Sequence, residues 1–458
     1  MKIRLFFAPW EYNAADFDRI YPLGIAYLGA VLEKKGWDVA GKNYGYKPWD
    51  SIKDEIKKEI ISEKPDIVGL SVLTNNRVSS IRIFNLVKSI NPKTINIAGG
   101  VHATFFYKQM LENYPSIDFV VLGEAEETIV ELTEAINKKA GFKELKKIKG
   151  IAFRHNNQIY LTEKRERIKD LNKLPLPKHE YFGEQIKKYK TIFMMSSRGC
   201  PFNCEFCPSC PFWGRMVKRR SAENIFSEMK EVLKKFPEVK HIYFTDDEFI
   251  VDNQNVIKLC KLIINEKMGI TWECAGGRVT SVNEELIKWM KRAGCTSIGF
   301  GIESGSQKIL DRMNKNQKLP DIIRAVRICK KYGIKTYPLL ILGFQGENSR
   351  TVSETIKLLK HLKLVGDPGL LFLVPGTGVY EKAKKQGYIS DDYWLSNKPM
   401  PFYFKENSRY KMAYWNLKVN ALSRFYAEGF FGLFKFLRRK FLRNINIHKL
   451  RDMIKRYL

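Results

Sequence analysis

Cys200, Cys204 and Cys207 stand in a C-x3-C-x2-C spacing, in a loop bracketed by Gly199, Pro201 and Pro208. Three thiolates this close in sequence can wrap one cubic iron–sulfur cluster, because soft sulfur ligands suit iron and a short Gly/Pro-flanked loop folds readily around it. Three ligands on a [4Fe-4S] cube leave one iron open, and an open iron suggests chemistry where a closed cluster suggests electron storage. Two blander readings stand beside this one. Zinc would ask for a fourth Cys or His, and no second C-x2-C pair occurs. Cys210 continues the run as C-x2-C and is available to close a ferredoxin-like, non-catalytic electron-transfer cluster. A disulfide framework is not expected: eight cysteines in 458 residues without a signal peptide point to a reducing cytosol.

With Phe206 in the aromatic place before Cys207, the loop resembles the signature of the radical S-adenosylmethionine (SAM) superfamily. The resemblance implies that the open iron chelates SAM and that reduction cleaves it to methionine and a 5′-deoxyadenosyl radical, which attacks a C–H bond. It also assigns cofactor contacts downstream. Asp246, Asp247 and Glu248 take the place near the SAM amino group, Arg278 that near its carboxylate, Glu303 and Ser304 the ribose region, and Gly343 the glycine-rich element beside the adenine. Any one of these is weak, since a carboxylate after a strand is more often a helix cap than a ligand. Their order after the cysteines is what carries weight.

These residues need a frame. From 191 onward, apolar strand candidates at 191–196, 241–244, 271–275, 297–301, 335–342 and 369–374 alternate with amphipathic helices. Six βα units are too few for an eightfold barrel; they match the partial (β/α)6 TIM-type barrel of the resemblance, with the cysteine loop after its first strand. Residues 1–140 show the same alternation in shorter form, an α/β pattern that predicts a doubly wound, Rossmann-like parallel sheet. This part resembles the cobalamin (B12)-binding domain that precedes many radical-SAM cores, through Pro22-Leu-Gly-Ile-Ala-Tyr-Leu, Gly99-Gly-Val-His-Ala-Thr and Gly123-Glu-Ala-Glu. By that resemblance Ser71, Thr74, Gly99, Gly100, His102, Gly123 and Glu124 flank the cobalamin. An Asp-x-His-x-x-Gly motif, the usual source of a cobalt-ligating histidine, is missing; 43–48 occupies its place. Residues 141–190 read as a linker with a hairpin, 191–390 as the core, and 391–458 as a basic, aromatic-rich helical tail.

The net charge of +30 favours anionic partners, or reflects lysine enrichment of a solvated surface. Residues 405–458 hold 14 Lys and Arg against 3 Asp and Glu. A basic amphipathic helix there either packs its apolar face on the barrel or makes peripheral contact with an anionic membrane; nucleic acid has no supporting motif. No apolar run approaches the roughly 20 residues that span a bilayer. The expected enzyme is cytoplasmic or peripheral to the membrane, draws electrons from an external flavodoxin- or ferredoxin-type donor, and acts on a small-molecule or lipid substrate. Methyl transfer to carbon is the favoured outcome, with cyclisation or rearrangement of a tetrapyrrole or lipid as the alternative. The methylthiotransferase class is disfavoured, because a second three-cysteine set is missing.

Overall fold

The computed structural model describes residues 1–11, 19–403 and 405–442; the end of the basic tail, 443–458, lies outside the described residues. Two parallel sheets organise the chain. The first joins β1 (Lys2–Phe7), β2 (Asp38–Asn43), β3 (Ile67–Ser71), β4 (Ile95–Gly99), β5 (Phe119–Val121), β6 (Ile151–His155) and β7 (Gln158–Leu161). Their order is β2-β1-β3-β4-β5-β6-β7, parallel through β5 and antiparallel beyond it. The order reverses between β1 and β3, the kind of switch point at which open α/β sheets bind ligands beyond their carboxyl ends. Alternation along β1 shows why this sheet carries helices on both faces. Ile3, Leu5 and Phe7 join one apolar cluster, whereas Phe6 and Ala8 join the other.

The hairpin read from sequence as part of a linker extends this first sheet: β6 pairs with β5, so the sheet runs to residue 161. Strand β2 escapes the apolar-run criterion because an edge strand reading Asp-Val-Ala-Gly-Lys-Asn buries only one residue fully.

The second sheet contains β8 (Thr191–Met194), β11 (His241–Phe244), β12 (Thr271–Gly277), β13 (Cys295–Glu303), β14 (Lys335–Leu342) and β15 (Gly369–Leu370). All are parallel, in the order β15-β14-β13-β12-β11-β8, an open half-barrel of six strands as expected from the sequence. Between the first two of these, β9 (Ser197–Arg198) and β10 (Lys218–Arg219) form a short antiparallel pair that closes the base of the cysteine loop. Cys260, Cys274, Cys295 and Cys329 are buried in the barrel core, as small apolar side chains usually are.

The two sheets share their apolar interior. One cluster runs from Ile3 and Leu5 through Tyr21, Phe182 and Ile186 into Phe193 and Phe244; the other links Val68 and Ala98 to Met313, Leu373 and Trp394. A buried polar relay crosses the same boundary. The Tyr21 hydroxyl lies 3.0 Å from His179 Nδ1, His179 Nε2 lies 2.8 Å from Glu228, and Glu228 also pairs with Arg220. Every member has its partner, so the desolvation cost of burying these charges is offset by direct bonds. The sheets are therefore held in one fixed relation.

Candidate active site

The cysteine loop leaves β9 through Gly199, whose φ of +94° and the Met216 carbonyl, 2.8 Å from where a Cβ would sit, admit only glycine. Backbone bonds then brace the loop. Cys207 N–H donates to Cys204 O at 3.1 Å, Glu205 N–H to Met313 O at 3.0 Å, and Val379 N–H to Glu205 O at 3.0 Å. Cys204 is 9% exposed, while Cys200 and Cys207 are partly open. Burial, with Glu248 and Asp247 nearby, pushes the Cys200 thiol up to about 12. A thiolate is thus disfavoured here until a cation supplies compensation, as metal ligation does. Among the described residues no three Cys, His, Asp or Glu side chains gather closely enough to hold a single metal ion, whereas the corners of an iron–sulfur cube accept thiolates spread more widely. Cys210 lies in the short helix Ser209–Trp213, and none of the eight cysteines forms a disulfide.

Arg278, at the end of β12, is the most telling neighbour. It is 4% exposed, its guanidinium carbon sits 3.4 Å from the centroid of the Phe202 ring in the cysteine loop, and its Nε and Nη2 have no hydrogen-bond partner. Leaving buried N–H groups unsatisfied costs about 1–3 kcal/mol each. A forked cation held at that cost beside three thiols fits an anionic ligand such as a carboxylate.

The remaining strand ends divide into braces and open positions. Asp246 accepts from Ser196 N–H at 3.0 Å and from the Ser196 and Ser197 hydroxyls, both at 2.6 Å. These bonds brace the turn before the cysteines. Asp247 is exposed in the mouth, with Ser209 and the Gly199 N–H as partners. Glu248 is buried, takes the Arg278 N–H at 3.0 Å, and burial raises its carboxyl to about 7. Glu303 adopts a left-handed φ of +59° and pairs with Lys315 at 2.7 Å. Ser304 lies buried, its hydroxyl 3.4 Å from that of Thr355. Gly343 has a φ of +93° and is capped by Met412 of the C-terminal helix; its N–H donates to Glu347, a carboxyl that burial lifts to about 7. Phe206, half-buried, faces Lys315, whose ammonium is 5.8 Å from the ring centroid.

Sequence reasoning passed over Lys315 and Arg198. Lys315 is buried, sits between Asn314 and Asn316, both at positive φ, and is drawn toward Glu303 and Cys204. That Asn-Lys-Asn turn was the available signal. Arg198 immediately precedes Gly199 and pairs with Glu124 at 3.1 Å and with Glu126, over the Tyr27 ring. With Phe105 edge-on to Phe212 at 6.5 Å, these contacts turn the carboxyl edge of the first sheet toward the barrel mouth.

On that edge the expected cobalamin residues differ among themselves. Gly99 ends β4, and Gly100 follows at φ +94° with the Val72 carbonyl only 2.8 Å from a would-be Cβ. Gly123, at φ +68°, has nothing within 4 Å of such a Cβ, leaving room for a bulky group. Ser71, partly open, ends β3. His102 is 3% exposed, 3.3 Å from the Thr74 hydroxyl and packed against Phe106 and Trp394. Burial and the neighbouring Arg77 depress its pKa to about 3, so it stands neutral in the core. Glu124 is spent on Arg198, Arg167 and the Ile168 N–H. His102, Thr74 and Glu124 are thus engaged with protein partners, and the open room on this edge lies at Gly123, which suits a bulky cofactor.

Comparison with known proteins agrees with this geometry. The radical SAM superfamily matches residues 194–359, and the B12 binding domain matches residues 15–133. An uncharacterized methyltransferase of Pyrococcus horikoshii is 33% identical over 379 residues, 81% of this chain and 80% of that protein. The anaerobic magnesium-protoporphyrin IX monomethyl ester cyclase of Rubrivivax gelatinosus is 29% identical over 348 residues, 74% of this chain and 62% of that protein. Among solved structures, the radical SAM methyltransferase TsrM from Kitasatospora setae, with cobalamin and a [4Fe-4S] cluster bound, shares the fold with a TM-score of 0.70 at 17% identity, over 84% of this chain and 75% of that one.

Proposed function

We propose a reaction for this chain on the premise that it belongs to the radical SAM superfamily and carries a B12 binding domain ahead of its half-barrel. It is an enzyme whose cofactors are a [4Fe-4S] cluster, SAM and cobalamin. In our reading it transfers a methyl group to a carbon of a small organic or lipid substrate. When bound, the three cofactors supply a 5′-deoxyadenosyl radical for hydrogen abstraction and a methyl group for transfer. Cys200, Cys204 and Cys207 hold the cluster. The Arg278 guanidinium fixes the SAM carboxylate, Asp247 and Glu248 take the ammonium, Glu303 with Lys315 meets the ribose, and the backbone at Gly343 lies along the adenine. Ser71, Gly99, Gly100 and Gly123 offer the opposing surface to cobalamin. An external low-potential flavodoxin- or ferredoxin-type protein supplies the electrons.

The observation that carries this reading is the buried Arg278 guanidinium, stacked on Phe202 of the cysteine loop with two nitrogens lacking a hydrogen-bond partner. Likeness to the cyclase sustains one alternative, oxidative cyclisation of a tetrapyrrole. Incubating the reduced, cobalamin-loaded chain with methyl-labelled SAM separates the two. Label appearing on cobalamin supports methyl transfer. Deoxyadenosine formed while all label stays in methionine supports cyclisation.

A further inference from the structure

The helix Arg409–Leu442 is broken at Gly429, where φ is 69° and ψ −163°. Before the break it lies on the barrel through Met412, Trp415 and Val419, all buried, and the Ser423 hydroxyl accepts from Gly366 N–H at 2.9 Å. After the break the chain folds back, bringing Phe436 under the Arg424 guanidinium at 4.6 Å and Phe430 edge-on to Phe425 at 5.0 Å. The turn so formed carries Phe430, Phe431 and Phe434 at 79%, 77% and 63% exposure. Lys435, Arg438 and Arg439 are exposed immediately beyond. From 409 to 442 the chain has eight Lys and Arg and a single acidic residue, Glu428.

We propose that this aromatic turn and its basic flank dock the enzyme on an anionic phospholipid bilayer. Three rings presented side by side at a helix break form a protrusion rather than a groove. A protein partner would need a matching cavity for them, whereas the bilayer interface takes up aromatic rings without one. The adjacent cations complement anionic headgroups, and the chain's net charge of +30 works in the same direction. The turn also lies away from the catalytic mouth. Ser423 meets Gly366, ahead of β15, and Tyr426 lies under Lys360, at the far end of the helix Ser349–Leu362, so the break sits where the strands begin and the mouth where they end. Docking there anchors the enzyme while the mouth stays open to water. This inference stands independently of the reaction proposed above.

Co-sedimentation of the full chain with phosphatidylcholine vesicles, with and without phosphatidylserine, tests it. The chain is expected to pellet with the phosphatidylserine vesicles and to be released by salt. Phe430→Ser with Phe431→Ser and Phe434→Ser, and separately Lys435→Gln with Arg438→Gln and Arg439→Gln, should each weaken binding by at least about tenfold. Unchanged far-ultraviolet circular dichroism and melting confirm that these surface variants fold. Failure to pellet, equal pelleting on neutral vesicles, or wild-type binding by both variants would overturn the proposal. So would light scattering that shows a dimer lost in the phenylalanine variant when no vesicle binding occurs, since a second copy would then cover the turn.

Discussion

The carboxyl ends of the two sheets face each other, yet they are built on opposite principles. At the barrel mouth, polar side chains are buried and left incomplete: Arg278 lacks partners on two nitrogens and Glu347 on one oxygen. At the edge of the first sheet the side chains are nearly all satisfied, with His102 on Thr74, Glu124 on Arg198, and Arg77 on Glu11. What remains there is backbone, tightly packed at Gly100 and open at Gly123. The difference teaches how each region meets its cofactor. The mouth suits a small charged ligand able to complete specific bonds, and the sheet edge suits a large one held by shape.

Breaking the mouth should therefore abolish chemistry and spare the fold. Cys204→Ala is expected to lose all deoxyadenosine formation and the cluster absorbance while the far-ultraviolet spectrum stays native; deoxyadenosine at wild-type rate would refute the ligand assignment. Arg278→Met comes next. Losing a charge-assisted contact worth about 1.5–3 kcal/mol should weaken SAM binding by roughly 10- to 150-fold. Because the free chain already bears an unsatisfied guanidinium, the same change should leave its thermal midpoint unchanged or raise it. A lowered midpoint together with normal SAM affinity would mean that Arg278 is structural.

Breaking the sheet edge should do the reverse. Gly100→Ala forces an L side chain to φ +94° and ψ 179° against the Val72 carbonyl, at a cost of about 1–3 kcal/mol. Equilibrium unfolding should show that loss, and cobalamin retention on gel filtration should fall while SAM binding to the cluster persists. The smallest effect belongs to His102. Its folded pKa, depressed from 6.5 to about 3, means that the unfolded chain takes up the proton first as pH falls. Stability is therefore full above pH 6.5 and is lost progressively below it, by about 1 kcal/mol between pH 6.5 and 5.5. His102→Gln should remove that share of the slope in denaturant titrations at the two pH values; an unaltered slope would place the histidine in water.

Much of this was legible in the sequence because it is local. The C-x3-C-x2-C loop, the six apolar runs of the half-barrel and the glycines at strand ends are each short patterns, readable without knowing what lies elsewhere along the chain. What was missed depends on partners far along the chain. The braces on Asp246 from Ser196 and Ser197, and on Glu124 from Arg198, 74 residues away, appear only in the folded chain. Lys315 gains its place only once the turn at Asn314 and Asn316 carries it back toward Glu303. The β6–β7 hairpin looked like a connector because its pairing with β5 bridges some 30 residues.

The central claim is an open iron held by Cys200, Cys204 and Cys207, with SAM bound beside it against Arg278. Electron paramagnetic resonance of the anaerobically reconstituted, reduced chain, recorded with and without SAM, tests it most directly. The account predicts a cluster signal whose g-values shift when SAM is added, in the wild type and equally in Cys210→Ala. A signal indifferent to SAM, or one lost with Cys210, would show a closed four-cysteine cluster and contradict the account.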